Sequence, residues 1–293
     1  MTVGAALDVA DFLRPGFLAD LSRLPTFRAA NPLRYSAAGK VITAPLPLTH
    51  PSFEWSAGTL YQTLGYSWAA PQLALYPDQS AIALSGYSPF EVNDGALDFI
   101  ADHTPARVLP FLPAGFAREY ISGAINSYPA CQTYGYFEML ARMPRGPGLW
   151  PAFWLLPLDL SWPPEIDIAE VLGADPTTLY TTVHAVVGGS NFQWGLPTSG
   201  PDLSAEFHGY GVDWGPDSID FYLDRLLVHS VPTPPSCHKP AYIVVNLAVG
   251  GPTSWGGAPT ATTKFPARMS VEYVKVWQRH AYAAQAAISA AGF

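Results

Sequence analysis

Charged residues are scarce in this sequence of 293 residues, since Asp, Glu, Lys and Arg together make up 13% of it. The 15 Lys and Arg residues form no cluster, and the net charge is −8. A nucleic-acid backbone or an anionic membrane attracts a protein through clustered Lys and Arg side chains. We therefore expect neither partner, and a neutral ligand suits this composition better. We expect the protein to be a monomer.

Cysteine and long apolar runs are also lacking. Cys131 and Cys237 are the only cysteines, so they form either one disulfide or two unpaired thiols, and neither choice identifies the cellular compartment. No apolar run reaches the roughly 18 residues that a membrane-spanning helix needs. The first 20 residues, MTVGAALDVADFLRPGFLAD, show none of the features of a signal peptide.

The residues that are abundant indicate a folded, turn-rich chain. Apolar residues make up 49% of the sequence, and 30 prolines and 25 glycines are spread along it. Short aromatic and β-branched segments recur between turn residues, among them YGYFEMLARM, LWPAFWLL, EIDIAEVL, LYTTVHAVV, SIDFYLD and YIVVNLAVG. This pattern predicts an all-β domain of two packed antiparallel sheets, a sandwich or jelly roll. We place the domain at residues 46–279, after an N-terminal extension (1–45) with a short amphipathic helix at 7–24, and before an Ala-rich helical tail (280–293).

The stretch WPPEIDIAEVLG concentrates three acids, Glu165, Asp167 and Glu170, in a chain that has few. Side chains alternate along a strand, so Glu165 and Asp167 share one face and Glu170 points to the other. A β-bulge near Ile168 and Ala169 would bring Glu170 to the same face. Crowded carboxyls titrate apart, so one becomes a proton donor while another stays anionic, as glycoside hydrolysis requires. Alternatively, Glu170 faces solvent and the other two acids cap amides or bind a cation.

Aromatic residues and a histidine accompany the acids. Trp150 and Trp154 fall on one face of the preceding strand, where indole rings can stack on sugars, although packing in the sandwich core explains them equally well. His184 falls on a neighbouring strand, where a structural role is the more frequent one for a lone histidine. His208 has only a structural interpretation.

Several blocks in order resemble glycoside hydrolase family 16, the laminarinase and lichenase family, in its E-x-D-x-x-E form: GLWPAFWLLP, PPEIDIAEVLG, TTVH, FHGYGVDWGPDSIDFYLD and VVNLAVGG. The resemblance implies a concanavalin A-like jelly roll with a concave cleft, and endo-hydrolysis of a polysaccharide with retention of configuration. It assigns Glu165 as nucleophile, Glu170 as general acid/base and Asp167 as the residue that tunes the nucleophile. Four further residues match sugar-binding positions: Trp150, Trp154, His184 and Asn126.

Departures from the family pattern bear on the substrate and on metal binding. Leu140 and Ala124 stand where the family often has Arg, so we expect altered sugar subsites. Within this family, the residues of the motifs most resemble those of bacterial exopolysaccharide depolymerases. We expect an extracellular enzyme that acts on a β-1,3 or β-1,3-1,4 glucan or on an exopolysaccharide. No cofactor is expected. Glu272 matches the position of a structural calcium ligand, and a carboxylate suits Ca²⁺.

Two other functions remain open at the sequence level. The same sandwich serves non-catalytic lectin-like modules that bind carbohydrate, because fold does not fix function. The acidic triplet argues against a pure binder, which has no need to crowd three carboxyls. A transglycosylase would use the same nucleophile and pass the sugar to another sugar instead of water.

Overall fold

A computed structural model describes residues 72–77, 84–93, 96–112, 118–128 and 131–276, together with the backbone of a few short strands outside these ranges. The helix predicted at 7–24 and the tail at 280–293 lie outside the described residues. The strands are β1 (Phe27–Ala29), β2 (Arg34–Tyr35), β3 (Val41–Ile42), β4 (Ser56–Ala57), β5 (Ala74–Leu75), β6 (Phe90–Asn93), β7 (Ala96–His103), β8 (Tyr120–Ile121), β9 (Ala124–Asn126), β10 (Gly135–Arg142), β11 (Leu149–Pro157), β12 (Glu165–Leu172), β13 (Asp175–Val187), β14 (Ser190–Ser199), β15 (His208–Trp214), β16 (Ser218–Leu223), β17 (Leu226–Pro232), β18 (Ala241–Val249) and β19 (Ala267–Arg279). Two short 3₁₀ turns lie at Leu109–Phe111 and Pro235–Cys237.

All the strands except β2 and β3, which form a separate pair, belong to two large sheets. The ten-stranded sheet has the order β17-β16-β15-β10-β19-β7-β8-β5, with β1 paired to β19 and β6 paired to β7. The seven-stranded sheet has the order β14-β13-β12-β11-β18-β9-β4. Neighbouring strands run antiparallel except β5 and β8, so the predicted all-β jelly-roll sandwich is confirmed. Strand β1 lies within the predicted extension 1–45 and still pairs with β19, so part of that extension joins the sheet.

The core lies between the two sheets, and the period of two along each strand decides which side chains enter it. On β18, Ile243, Val245 and Leu247 pack in the main apolar core. Tyr242 and Val244 alternate with them and face the other side of the sheet, in a separate apolar cluster. This second face of the seven-stranded sheet carries the cleft. Among the described residues, no helix is long and apolar enough to cross a membrane.

The two cysteines are free thiols, Cys237 buried and Cys131 partly buried. Burial raises the pKa of the Cys131 thiol to about 11 and that of Cys237 to about 12. Both side chains are therefore neutral near pH 7, and of the two alternatives the sequence left open, the unpaired state is the one present.

A buried carboxylate lies on the outer face of the ten-stranded sheet, away from the cleft. Glu138 on β10 is 1% exposed. It accepts hydrogen bonds from Arg225 Nε at 2.9 Å and Nη2 at 3.0 Å, from Tyr136 Oη at 3.0 Å and from Tyr273 Oη at 2.8 Å. Because a buried charge is tolerated only when it is paired and hydrogen-bonded, this set of donors is what allows Glu138 to be buried.

The position of Leu140 corrects one expectation. Phe137, Met139 and Ala141 of β10 enter the core, so the alternate residues Glu138 and Leu140 face outward from the ten-stranded sheet. The cleft lies on the other sheet, and the whole sandwich separates the two faces. The expectation that Leu140 alters the sugar subsites was therefore wrong.

Replacing Arg225 by Ala is expected to lower the free energy of unfolding by about 3–5 kcal/mol, because it leaves the buried Glu138 carboxylate without its cation. The control is Arg145→Ala, which breaks a pair with Asp202 whose side chains are 58% and 37% exposed. That pair should contribute less than about 1 kcal/mol. Urea denaturation of both variants measures the difference, and equal small losses would contradict the importance of the Glu138 pair.

Candidate active site

A β-bulge in β12 brings the three acids of EIDIAE to one face. Asp167 pairs with Thr182 on β13 and Glu170 pairs with Tyr180, so two residues of β12 oppose one residue of β13. The extra residue falls at Ile168–Ala169, and the register with β11 shifts at the same place. Ile168 and Ala169 are both fully buried in the core. The predicted bulge is therefore confirmed, and the interpretation that Glu170 faces away from the other acids is wrong.

The acids line a cleft on the outer face of the seven-stranded sheet. Its walls come from four separate segments of the chain, which are residues 72–76 and strands β11, β12 and β18. The lining residues are Gln72, Tyr76, Trp150, Ala152, Trp154, Glu165, Asp167, Glu170, Asn246 and Ala248. None of these is Lys or Arg, so apart from the acids the described lining is neutral.

Indole groups hold the two outer acids of the triplet. Trp162 Nε1 donates to Glu165 Oε2 at 2.8 Å, and Trp150 Nε1 donates to Glu170 Oε1 at 3.0 Å. An indole N–H can only donate, so each contact favours a carboxyl oxygen that carries negative charge. The side chains of Glu165 and Glu170 are thereby fixed at opposite ends of the acidic row.

His184 contacts the acids rather than an open sugar-binding surface. It lies on β13 directly opposite Glu165. Its Nε2 is 3.2 Å from Asp167 Oδ2 and 3.9 Å from Glu165 Oε1. The predicted neighbouring strand is therefore confirmed, and His184 Nε2 lies within ion-pair distance of both carboxyls, although among the described residues Asp167 Oδ2 has no hydrogen-bond partner.

Burial shifts the titration of all three acids in the same direction. It raises the pKa of Glu165 well above the usual range, and the charge of Asp167 raises it further. It also raises the pKa of Asp167 well above the usual range, and the charge of Glu170 adds to that shift. Burial, followed by the charge of Glu165, raises the pKa of Glu170 to about 8. His184 and Trp162 lower the pKa of Glu165, and Trp150 lowers that of Glu170, without cancelling the effect of burial. The row therefore holds fewer than three negative charges near pH 7, so it contains a proton donor.

Aromatic rings surround the acidic row. Trp150 and Trp154 both line the cleft, as the alternation along β11 predicted. Two exposed indoles were not assigned from the sequence, Trp162 at 54% and Trp255 at 49% exposure. The Trp255 ring lies 5.4 Å from that of Trp150 and 4.7 Å from that of Tyr180, both edge to face. Trp255 comes from the loop after β18, and no signal near EIDIAE in the sequence points to it.

Three polar residues of the cleft were also missed. Gln72 and Tyr76 flank β5, and Asn246 lies on β18. Asn246 sits within VVNLAVGG, a block already used for the family resemblance, so its position on the strand could have identified it. Gln72 and Tyr76 lie far from any recognised block, and only the fold brings them to the site.

Asn126, a predicted sugar-binding residue, is placed less favourably. The register pairs it with Val244, which puts it on the cleft face of the sheet. It is 3% exposed, and its Oδ1 accepts a hydrogen bond from the Tyr128 backbone N–H at 3.1 Å. Asn126 is not among the lining residues, so its role in sugar binding stays a prediction.

Calcium binding at Glu272 finds no side-chain support in the described part of the chain. Glu272 is exposed on β19. The one group of three acidic, His or Cys side chains found close enough to share a cation, within the ranges described above, is Glu165, Asp167 and His184, whose ligand atoms lie within 4.8 Å of one another. Calcium takes 6–8 oxygen ligands. Because backbone carbonyls and waters also supply such ligands, calcium binding at Glu272 stays a prediction.

Comparison with known proteins supplies independent findings. The sequence profile described as "Glycosyl hydrolases family 16" matches residues 84–275. The chain is 39% identical over 207 residues to "Endo-1,3-1,4-beta-glycanase EglC" of Rhizobium meliloti (strain 1021), covering 70% of this chain and 43% of that protein. It is 38% identical over 203 residues to "Endo-1,3-1,4-beta-glycanase ExsH" of the same organism, covering 69% and 42%. The chain thus spans less than half the length of either relative.

A solved structure shows the same architecture. The crystal structure of the laminarinase catalytic domain from Thermotoga maritima MSB8 superposes with a TM-score of 0.63 and 29% sequence identity. The match covers 76% of this chain and 91% of that chain. The two-sheet sandwich and its cleft therefore belong to a known architecture.

Replacing Glu170 by Gln is expected to flatten the pH dependence of stability. The folded-state pKa of Glu170, about 8, exceeds the ordinary value of 4.5, so the folded protein keeps a proton that the unfolded chain releases. This contribution is complete below about pH 4.5 and is lost as the pH rises through about 8. Between these limits, the free energy of unfolding of the unmodified protein should fall by on the order of a few kcal/mol.

Urea denaturation at several pH values measures this slope. The control is Glu206→Gln, which removes an exposed glutamate outside the cleft. The Glu170→Gln variant should lose less stability across this range than the unmodified protein or the control. Equal slopes for all three proteins would contradict a buried, protonated Glu170.

Proposed function

Because the chain belongs to glycosyl hydrolases family 16, we propose that it is an endo-glycosidase that cleaves β-1,3 or mixed β-1,3-1,4 linkages by double displacement with retention. The observation that carries this proposal is the row of Glu165, Asp167 and Glu170 on one face of β12. Retaining enzymes need one carboxylate to attack the sugar and one carboxylic acid to protonate the leaving oxygen. The bulge supplies both from a single strand.

Glu165 suits the role of nucleophile. Its carboxyl accepts a hydrogen bond from Trp162 and lies 3.9 Å from His184 Nε2. These two contacts lower its pKa against the effect of burial. Glu165 thus has one hydrogen-bond donor, Trp162, and one nearby histidine that favour the anion, which must attack the anomeric carbon and form the glycosyl-enzyme ester.

Glu170 suits the role of general acid/base. With a pKa of about 8, its carboxyl is protonated in neutral solution and can donate to the leaving oxygen. After the first step it can take a proton from water, which then attacks the ester. Trp150 Nε1 contacts Oε1, so the other oxygen, Oε2, is left to exchange the proton.

Asp167 suits a tuning role between the two glutamates. It is 3% exposed, and its Oδ2 lies 3.2 Å from His184. Its charge raises the pKa of Glu165. When Asp167 is protonated, Glu165 is more easily ionised, so the proton on Asp167 controls the nucleophile.

The rings around the row provide the sugar-binding surface. Trp150, Trp255 and Tyr180 gather on the Glu170 side, and Trp162 lies on the Glu165 side. Flat rings bind the apolar faces of sugars and leave the hydroxyls free for polar contacts. Because rings lie on both sides of the acidic row, this surface suits a polymer substrate better than a free monosaccharide.

The substrate class rests on the relatives and on the charge of the cleft. EglC and ExsH are both named endo-1,3-1,4-beta-glycanases. The described cleft lining contains no Lys or Arg that would bind an acidic sugar. Both points favour neutral glucosyl units at the subsites, in a β-glucan or in the neutral part of a bacterial exopolysaccharide. Because such polymers are too large to enter a cell intact, we propose that the enzyme acts outside it.

Product analysis tests this proposal against its alternatives. The enzyme is incubated with β-1,3-glucan, mixed-linkage glucan and bacterial exopolysaccharides, with and without an added sugar acceptor. Early products should be oligosaccharides of mixed length, and NMR should show that the new reducing ends first appear in the β configuration. Monosaccharide alone would contradict endo cleavage, and initial α products would contradict retention. Transfer to acceptor at the expense of hydrolysis would favour a transglycosylase, and binding without turnover a lectin-like module.

Variants of the two glutamates should separate their roles. Glu165→Gln should abolish turnover of every substrate, because an amide cannot form the glycosyl ester. Glu170→Ala should slow the cleavage of natural glucans by roughly 10²–10⁴-fold, because their leaving groups need a proton. The activity of the Asp167→Asn variant should fall between the activities of the Glu165→Gln and Glu170→Ala variants. On aryl glycosides with good leaving groups, Glu170→Ala should keep the first step and accumulate the intermediate.

Azide provides the deciding measurement for these variants. It should accelerate the Glu170→Ala enzyme by attacking the intermediate without help from a base, and it should give a β-glycosyl azide. Glu206→Gln, outside the cleft, should behave like the unmodified enzyme in the same assay. Rescue of the Glu165 variant with a retained product, and none for the Glu170 variant, would mean that the two roles are reversed.

A further inference from the structure

A chain of hydrogen bonds runs along the cleft floor from Trp154 to Gln72. Trp154 Nε1 donates to Asn246 Oδ1 at 2.8 Å, and Asn246 Nδ2 donates to Tyr76 Oη at 3.3 Å. Tyr76 Oη then donates to Gln72 Oε1 at 3.0 Å. All four side chains line the cleft that holds the acids.

The direction of this chain follows from the chemistry of its first member. Because an indole N–H can only donate, it must face the carbonyl oxygen of Asn246, and the Asn246 amide nitrogen must face Tyr76. The Tyr76 oxygen therefore accepts from Asn246, and its own proton is directed at the carbonyl oxygen of Gln72. Burial raises the pKa of Tyr76 above its ordinary value, which keeps that proton in place.

The far end of this hydrogen-bond network, at Gln72, is a donor that has no partner among the described residues. With its oxygen held by Tyr76, Gln72 has its amide nitrogen directed elsewhere. In the part of the chain that the structure describes, this Nε2 has no hydrogen-bond partner, and the Gln72 side chain is partly exposed at the cleft. An amide held in one orientation with an unused N–H is suited to bind an oxygen of a ligand.

Gln72 lies well away from the acidic row. Its neighbour Leu73 donates its N–H to the carbonyl of Val249 at 2.8 Å, so this segment runs beside the end of β18. The sheet order is β12, β11 and β18, and the Leu73 contact places the backbone of the Gln72 segment on the far side of the end of β18. Three strand spacings separate this backbone from that of β12 by roughly 14 Å, so we expect Gln72 to contact a different sugar unit from the one that is cleaved.

We propose that Gln72 is a specificity-determining residue, whose amide N–H donates to a hydroxyl or ring oxygen of a sugar unit remote from the scissile bond. The inference rests on the proposed function, because it needs a polymer in this cleft. Tyr76 is the positioning residue that sets the orientation of Gln72. The contact then selects for chain length and for the sugar at that subsite, and it leaves the chemical step at Glu165 and Glu170 unchanged.

Two variants of Gln72 separate a donor from a structural residue. Gln72→Ala removes the donor and the contact to Tyr76. Gln72→Glu keeps an oxygen that accepts from Tyr76, replaces the amide N–H by a second acceptor oxygen and adds a negative charge. Kinetics are measured on β-1,3 and mixed-linkage gluco-oligosaccharides of increasing length. Both variants should raise KM on long substrates by roughly three- to tenfold, with kcat and the KM for the shortest cleaved substrates unchanged.

Tyr76→Phe tests the positioning role of the Tyr76 hydroxyl. Its control is Tyr210→Phe, which also removes a buried hydroxyl. The Tyr210 hydroxyl is buried in the core without a hydrogen-bond partner among the described residues. Tyr76→Phe should weaken the dependence on substrate length because Gln72 can then rotate, and Tyr210→Phe should not. Thermal unfolding of each variant verifies that it is folded.

The outcomes distinguish this inference from the function on which it rests. If Gln72→Glu behaves like the unmodified enzyme on long substrates, or if KM rises equally for short and long ones, the inference is overturned while the proposed function stands. If the unmodified enzyme cleaves none of the β-glucans or exopolysaccharides, the inference and the proposed function are both contradicted. A rise in KM confined to long substrates in both Gln72 variants supports the inference.

Discussion

The β-bulge at Ile168–Ala169 is the constraint on which the rest of the site depends. A regular strand could not place Glu165 and Glu170 on one face, because they are five positions apart and side chains alternate. The bulge adds one residue to β12 opposite β13, and both residues at that point are fully buried in the core. Core packing therefore holds the bulge in place, and the bulge holds the acids together.

Burial in a chain with few charges controls the protonation of those acids. With 13% charged residues in the sequence and no Lys or Arg among the described cleft residues, the only nearby compensation comes from two indoles and His184. This compensation is too small to ionise the whole row. A negative charge on one of these carboxyls raises the pKa of a neighbouring one, so the three carboxyls titrate as a single unit. The buried Glu138 on the opposite sheet has different surroundings, because Arg225 and two tyrosines all donate hydrogen bonds to this one carboxyl group.

Tryptophan has two functions in this cleft. Trp150 lines the cleft with its ring and uses its N–H to hold Glu170, and Trp154 does the same for Asn246. Because the indole N–H only donates, each ring also decides which way its partner faces. The proposed sugar-binding rings and the orientation of the polar groups beside them therefore depend on the same side chains of β11.

The sequence by itself determined the strand-rich sandwich, the family, the shared face of the acids and the pair of indoles on β11, because these depend on the period of two within single strands and on contiguous blocks. It could not determine which sheet a strand joins, so it could not show that Leu140 lies on the sheet opposite the cleft. Nor could it find Trp255, Tyr76 or Gln72. Those residues reach the cleft from segments far along the chain, through non-local strand pairing that a local pattern does not contain. Only the tertiary structure decided which distant side chains complete the site.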